Sequence, residues 1–95
     1  MRRIEESGDF KRAKKRIEKG GRYRKAMKER FVPALIKLVN DIPLDYSYHD
    51  HELTGGMKGY RDCHITFDLV LVYKYEGDDV LVLEDLGSHS EVLGL

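Results

Sequence analysis

Apolar residues recur along this chain with two different periods, and the change from one to the other divides it. Phe10, Ala13 and Ile17 are spaced three and four apart, which lines one face of a helix. Gly20-Gly21 closes the stretch, so the pattern predicts a helix over 9–19 with Asp9 as its cap. A second helical stretch starts near Arg22. It gathers Met27, Phe31, Leu35, Leu38 and Val39 on one broad face and ends near Asn40. Pro33 lies inside that pattern; its missing amide should kink the helix or mark a restart. After Gly56 the period falls to two. Residues 59–66 alternate, 68–75 are apolar on both faces as a central strand requires, and 80–83 form a short apolar run. Thr66-Phe67 and Glu76-Gly77-Asp78-Asp79 read as the hairpin turns between them. Residues 2–7, followed by Ser7-Gly8-Asp9, read as a first strand, and 45–56 as a connecting loop.

The order strand, two helices, three strands predicts an α+β fold, with two N-terminal helices on one face of a mainly antiparallel four-stranded sheet. Ninety-five residues suit a single domain spanning 1–95. The longest apolar run, Leu69–Tyr73, is far short of the about 18 residues that span a bilayer. The opening MRRIEESGDF has no apolar segment of the kind an export signal needs. A cytoplasmic protein without a membrane partner is expected. The lone Cys63 cannot close an internal disulfide.

A formal net charge of zero conceals a division. Residues 1–40 carry fourteen Lys or Arg against five Asp or Glu, and residues 41–95 carry three against twelve. The halves are thus +9 and −9. Such asymmetry fits either a solvated coat on two helices or a surface for a polyanion or acidic partner.

All four histidines, His49, His51, His64 and His89, lie in the acidic half, on loops and strand ends that can meet at one sheet edge. Three chemistries are open to them. Imidazoles with a carboxylate suit zinc or a similar metal, although the i, i+4 pair His64 and Asp68 flanks a turn and shares no helix face. A histidine–carboxylate set with Lys58 and Arg61 nearby suits RNA cleavage without metal or cofactor. In that reaction a base takes the 2′-OH proton, an acid protonates the leaving 5′-oxygen and cations meet the phosphorane charge. Imidazole, with a reference pKa of about 6.5, serves in either proton role. Cys63 as a nucleophile is the weakest of the three, because alternation sets it opposite Asp62 and His64.

The run HDHELTGGMKGYRDCHITFDLVLVYK at 49–74, followed by LGSHSEVL at 86–93, resembles the YafQ-like branch of the RelE/ParE toxin superfamily. The resemblance is dense over half the chain; before residue 48 it rests on element order and Phe10. It implies a RelE-like fold and a toxin of a type II toxin–antitoxin pair that enters the ribosomal A site and cuts mRNA. It implies catalytic roles for His51, His64, Asp68 and His89, and RNA phosphate contacts for Lys58 and Arg61. It also implies helices lying on ribosomal RNA and a small antitoxin, acidic or with an acidic segment, as cognate partner.

Three positions depart from the family pattern. Asp85 stands where many relatives have Arg, Leu93 where an aromatic is common, and Met57 where Trp is expected. Asp85 is expected to pair with Arg61 or to orient a histidine. The departures motivate a second reading, a RelE-fold module that binds antitoxin or RNA without cutting. A third, a ParE-like gyrase inhibitor, has no use for the histidines.

Overall fold

The computed structural model describes residues 1–94. The chain begins with strand β1 (Arg3–Glu6), then helix α1 (Gly8–Gly20). Arg24–Ala26, a π-helical turn Met27–Phe31 and Val32–Val39 follow without a break and together form α2. Four strands come next: β2 (His51–Glu52), β3 (Arg61–Thr66), β4 (Leu69–Glu76) and β5 (Val80–Gly87). A short helix, α3 (His89–Leu93), closes the described chain.

The sheet runs in the order β1-β5-β4-β3-β2. Only β1 with β5 is parallel, Ile4 lying opposite Leu81; the other pairs are antiparallel. The α+β class and the mainly antiparallel sheet stand as expected, but the sheet has five strands, not four. The additional strand, His51–Glu52, lies inside the segment read as a loop and is too short to show a period. The last strand continues past Leu83 to Gly87 because a bulge accommodates Glu84 without ending the ladder: Tyr73 faces Leu83 and Val72 faces Asp85. The first hairpin turns at Phe67-Asp68, one residue later than expected.

Alternation decides what each face of the sheet buries. Cys63, Ile65, Leu71, Tyr73, Leu81, Leu83 and Leu86 join Phe10, Ala13, Phe31, Ala34 and Leu38 of the helices in one core. The helical stripes expected from the sequence are those buried here, with Ile17 and Leu35 packed at the margin. Ser7, not Asp9, caps α1, its hydroxyl accepting from the Phe10 amide at 3.0 Å. Pro33 falls where a π turn passes into regular helix: just before it the Val32 amide bonds back five residues to Met27. The helix continues, so the chain turns without losing its apolar face.

Candidate active site

The opposite face of the sheet carries the polar site. Residues 62 and 64 point away from the core that Cys63 and Ile65 enter, and the register extends the pattern across strands. His51 pairs with Asp62, Asp62 with Val72 and Val72 with Asp85; the adjacent row is His64, Val70 and Gly87.

The loop before β2 is clamped from the core side. Asp50 accepts the Tyr73 hydroxyl at 2.6 Å and the Arg61 guanidinium at 3.2 Å. Arg61 also lies 3.6 Å from Glu52. Tyr48 is buried; its hydroxyl donates to the Arg30 carbonyl at 2.8 Å, and the Arg30 guanidinium covers its ring. Arg30 in turn donates to the Ile65 carbonyl at 3.0 Å, joining the π turn of α2 to β3. With Asp50 held inward, its neighbours His49 and His51 are left exposed.

His51 Nδ1 lies 2.8 Å from the His49 carbonyl. A carbonyl only accepts, so Nδ1 carries the proton, and Nε2 of the neutral ring bears the lone pair. Asp62 Oδ1 stands 3.2 Å from the same Nδ1. That N–H is directed at the carbonyl, and Oδ1 is a buried carboxylate oxygen without a hydrogen bond. Burial raises the Asp62 carboxyl pKa, opposed by His51, His64 and His89.

His89 enters from α3. Ser88 caps that helix with a reciprocal bond pair, Glu91 N–H to the Ser88 hydroxyl at 3.2 Å and Ser88 N–H to Glu91 at 2.8 Å. Gly87 allows the helix to fold back closely, since a Cβ there would lie 3.0 Å from Glu91 Oε1. His89 Nε2 thereby comes within 3.2 Å of His64 Nε2. One of the two nitrogens must donate and the other accept. Burial, then the neighbouring His89, lowers the His64 pKa.

The structure thus brings His51, His64 and His89 to one face, over Asp62. Asp68 has other partners. It accepts from Thr66 at 2.7 Å, Arg22 at 2.8 Å and the Tyr23 hydroxyl at 3.0 Å, and these bonds lower its pKa, that from Thr66 most. It ties the β3–β4 turn to the start of α2. Lys58 and Arg61 line a cleft on the other side of β3, with Asp50, Glu52 and Tyr75. Asp85 pairs neither with Arg61 nor with a histidine: its Oδ1 accepts the Leu86 amide at 2.8 Å, and burial raises its pKa. Cys63 is buried and its thiol pKa is pushed up, so no thiolate is available. Asp62 is absent from the residues expected for the site. Its signal was its spacing two before His64 on an alternating strand.

Residues 2–94 match the family model described as bacterial toxin of type II toxin-antitoxin system, YafQ. The mRNA interferase toxin YafQ of Escherichia coli K12 is 37% identical over 94 residues, 99% of this chain and 98% of that protein. YafQ in the crystal structure of the E. coli DinJ-YafQ complex superposes with a TM-score of 0.79 at 35% identity, over 99% of this chain and 100% of that one. A metal-bound toxin from Helicobacter pylori superposes with a TM-score of 0.83 at 38% identity, over 97% of this chain and 99% of that one. Among the described residues of this chain, no three His, Cys, Asp or Glu are arranged to hold a metal ion.

Proposed function

The chain belongs to the YafQ family of bacterial toxins of type II toxin–antitoxin systems, and from that premise we propose that it is an endoribonuclease that cuts mRNA on the ribosome. The observation that carries the reading is the gathering of two close pairs, His51 with Asp62 and His64 with His89, at one sheet face. His51, with Nδ1 committed to a carbonyl, presents Nε2 as the base that removes the 2′-OH proton. The 2′-oxygen then attacks phosphorus, the bond to the 5′-oxygen breaks, and His89 gives that oxygen its proton. A 2′,3′-cyclic phosphate and a free 5′-hydroxyl result. His64, bonded to His89, hands protons to and from it. Asp62 offsets the positive charge the imidazoles acquire in turn.

Asp68 acts as a positioning residue, fixing through Thr66 and Tyr23 the turn that ends the His64 strand. Arg61 does the same for the loop of His49 and His51 by gripping Asp50. Lys58, exposed, meets a phosphate along the bound mRNA. The basic half lies on ribosomal RNA, and the toxin acts in the cytoplasm. DinJ forms a complex with the E. coli YafQ; for this chain the reading is a cognate antitoxin whose acidic segment covers its basic surface.

The test is primer-extension mapping of mRNA ends after brief induction, with His89→Ala as control. In-frame cuts that disappear in the variant support the nuclease. Uncut mRNA from a folded wild-type protein that still binds its antitoxin would overturn it in favour of a binding module.

A further inference from the structure

The fourth histidine has no place in the reaction as derived, yet the fold keeps it at the site. His49 takes a left-handed backbone, φ 49°, which favours glycine and asparagine. It is held there by its amide bond to the Tyr46 carbonyl at 3.0 Å, by buried Tyr48 before it and by clamped Asp50 after it. Strain of this kind persists where the surroundings impose it, and it gathers at functional sites. The ring is thereby delivered 5.3 Å, centroid to centroid, from that of His64, whose own ring is 4.7 Å from that of His89. The three imidazoles form a row. Unlike the other three, the His49 ring makes no hydrogen bond among the described residues, and the residue is exposed.

The charges around it define what is missing. Facing His49 is His64 of β3, which is itself bonded to His89 of α3; Asp62 stands two residues before His64 on the same strand face, and Asp45, Asp50 and His51 lie on the segment of His49 itself. Asp85 occupies the same face two strands away from Asp62. Arg61 lies on the reverse side of β3, engaged with Asp50 and Glu52. Of the arginines at its margin, Arg16 lies 4.0 Å from Glu91 of α3 and Arg22 is bonded to Asp68, so the developing charge of a phosphate entering this face needs a donor that is not already committed.

We propose that His49 is a catalytic residue, donating a ring N–H to a non-bridging oxygen of the scissile phosphate. This rests on the nuclease reading above. The role differs from proton transfer: His49 stabilises charge on the phosphorane and is not consumed in the exchange between base and acid.

The backbone conformation supplies the test. His49→Gly removes the imidazole at a position whose backbone glycine adopts without strain, and His49→Lys restores a donor. Single-turnover cleavage of mRNA on programmed ribosomes is measured for both against the wild type. The expected result is a fall of about a hundredfold in the cleavage rate for His49→Gly, with ribosome affinity and melting temperature unchanged, and recovery to within tenfold by His49→Lys. A His49→Gly protein that cuts at the wild-type rate would overturn the assignment. So would a loss that lysine does not recover, since that marks a role in shaping the loop. A wild-type protein that does not cut at all would overturn the nuclease reading itself.

Discussion

Asp62 concentrates the conflict between stability and chemistry in one side chain. It is a buried carboxylate with an oxygen that no group among the described residues satisfies, a state that costs about 1–3 kcal/mol relative to a matched neutral group. The favourable use of that charge is opposite imidazoles that become cationic. Asp62→Asn is therefore expected to raise the melting temperature by a few degrees while slowing cleavage tenfold or more. A fall in melting temperature would show that the carboxylate is fully paired in solution. His64 carries the complementary signature. Its folded pKa lies below the unfolded value, so its contribution to stability is present above the unfolded pKa of about 6.5 and is lost as pH falls through the folded pKa. Urea denaturation between pH 8 and 5 should show stability declining on acidification, and His64→Gln should flatten that decline. An unchanged slope in the variant would contradict the assignment.

At the scale of elements, two short pieces of structure deliver the reactive groups. Helix α3 has five residues and depends on its capping box. Ser88→Ala is expected to cost about 1 kcal/mol of helix stability and to slow cleavage several-fold by freeing His89. Hydrogen exchange should confine the loosening to α3, and a molecule destabilised throughout would refute that picture. The clamp on Asp50 is the second piece. Tyr73→Phe removes the 2.6 Å bond at a cost of about 1 kcal/mol, and crystals or NMR spectra of the variant should show the 45–52 loop displaced. These elements also explain what the sequence could and could not disclose. Phe10, Ala13, Met27, Phe31 and the run Leu69–Tyr73 announce their burial because each repeats a period over two turns or five residues. His51–Glu52 is a two-residue strand with no period at all. Glu84-Asp85 interrupts the apolar pattern of β5 although the strand passes through it on a bulge. The histidines were legible as residue types that needed explaining, and their meeting on one face was readable only as an expectation. The Nε2 to Nε2 approach of His64 and His89 depends on α3, which begins at His89, beyond the last expected strand at 80–83.

For the whole molecule, the division of charge becomes a division of surface. Lys11, Lys15 and Lys19 are exposed at successive turns of α1, and Arg22, Arg24, Lys25 and Lys28 extend the basic side around the start of α2. The acidic half carries the loops around the histidines. Replacing Lys11, Lys15 and Lys19 by Gln should lower the dependence of log ribosome affinity on log salt by about two, since each lost phosphate contact removes about 0.7–0.9. Filter binding across a potassium chloride series measures this, and a slope equal to the wild type would exclude that face from the contact. The sheet order adds a consequence in time. Strand β1, at 3–6, lies between no two neighbours and has only β5, at 80–87, beside it, and His64 gains its bonded partner only with residue 89. During synthesis, then, the first strand waits for the fifth, and the row of imidazoles stays incomplete while residues 80–89 are still inside the ribosome. The order of the strands delays the assembly of the histidine face until the ribosome making it has released residues 80–89.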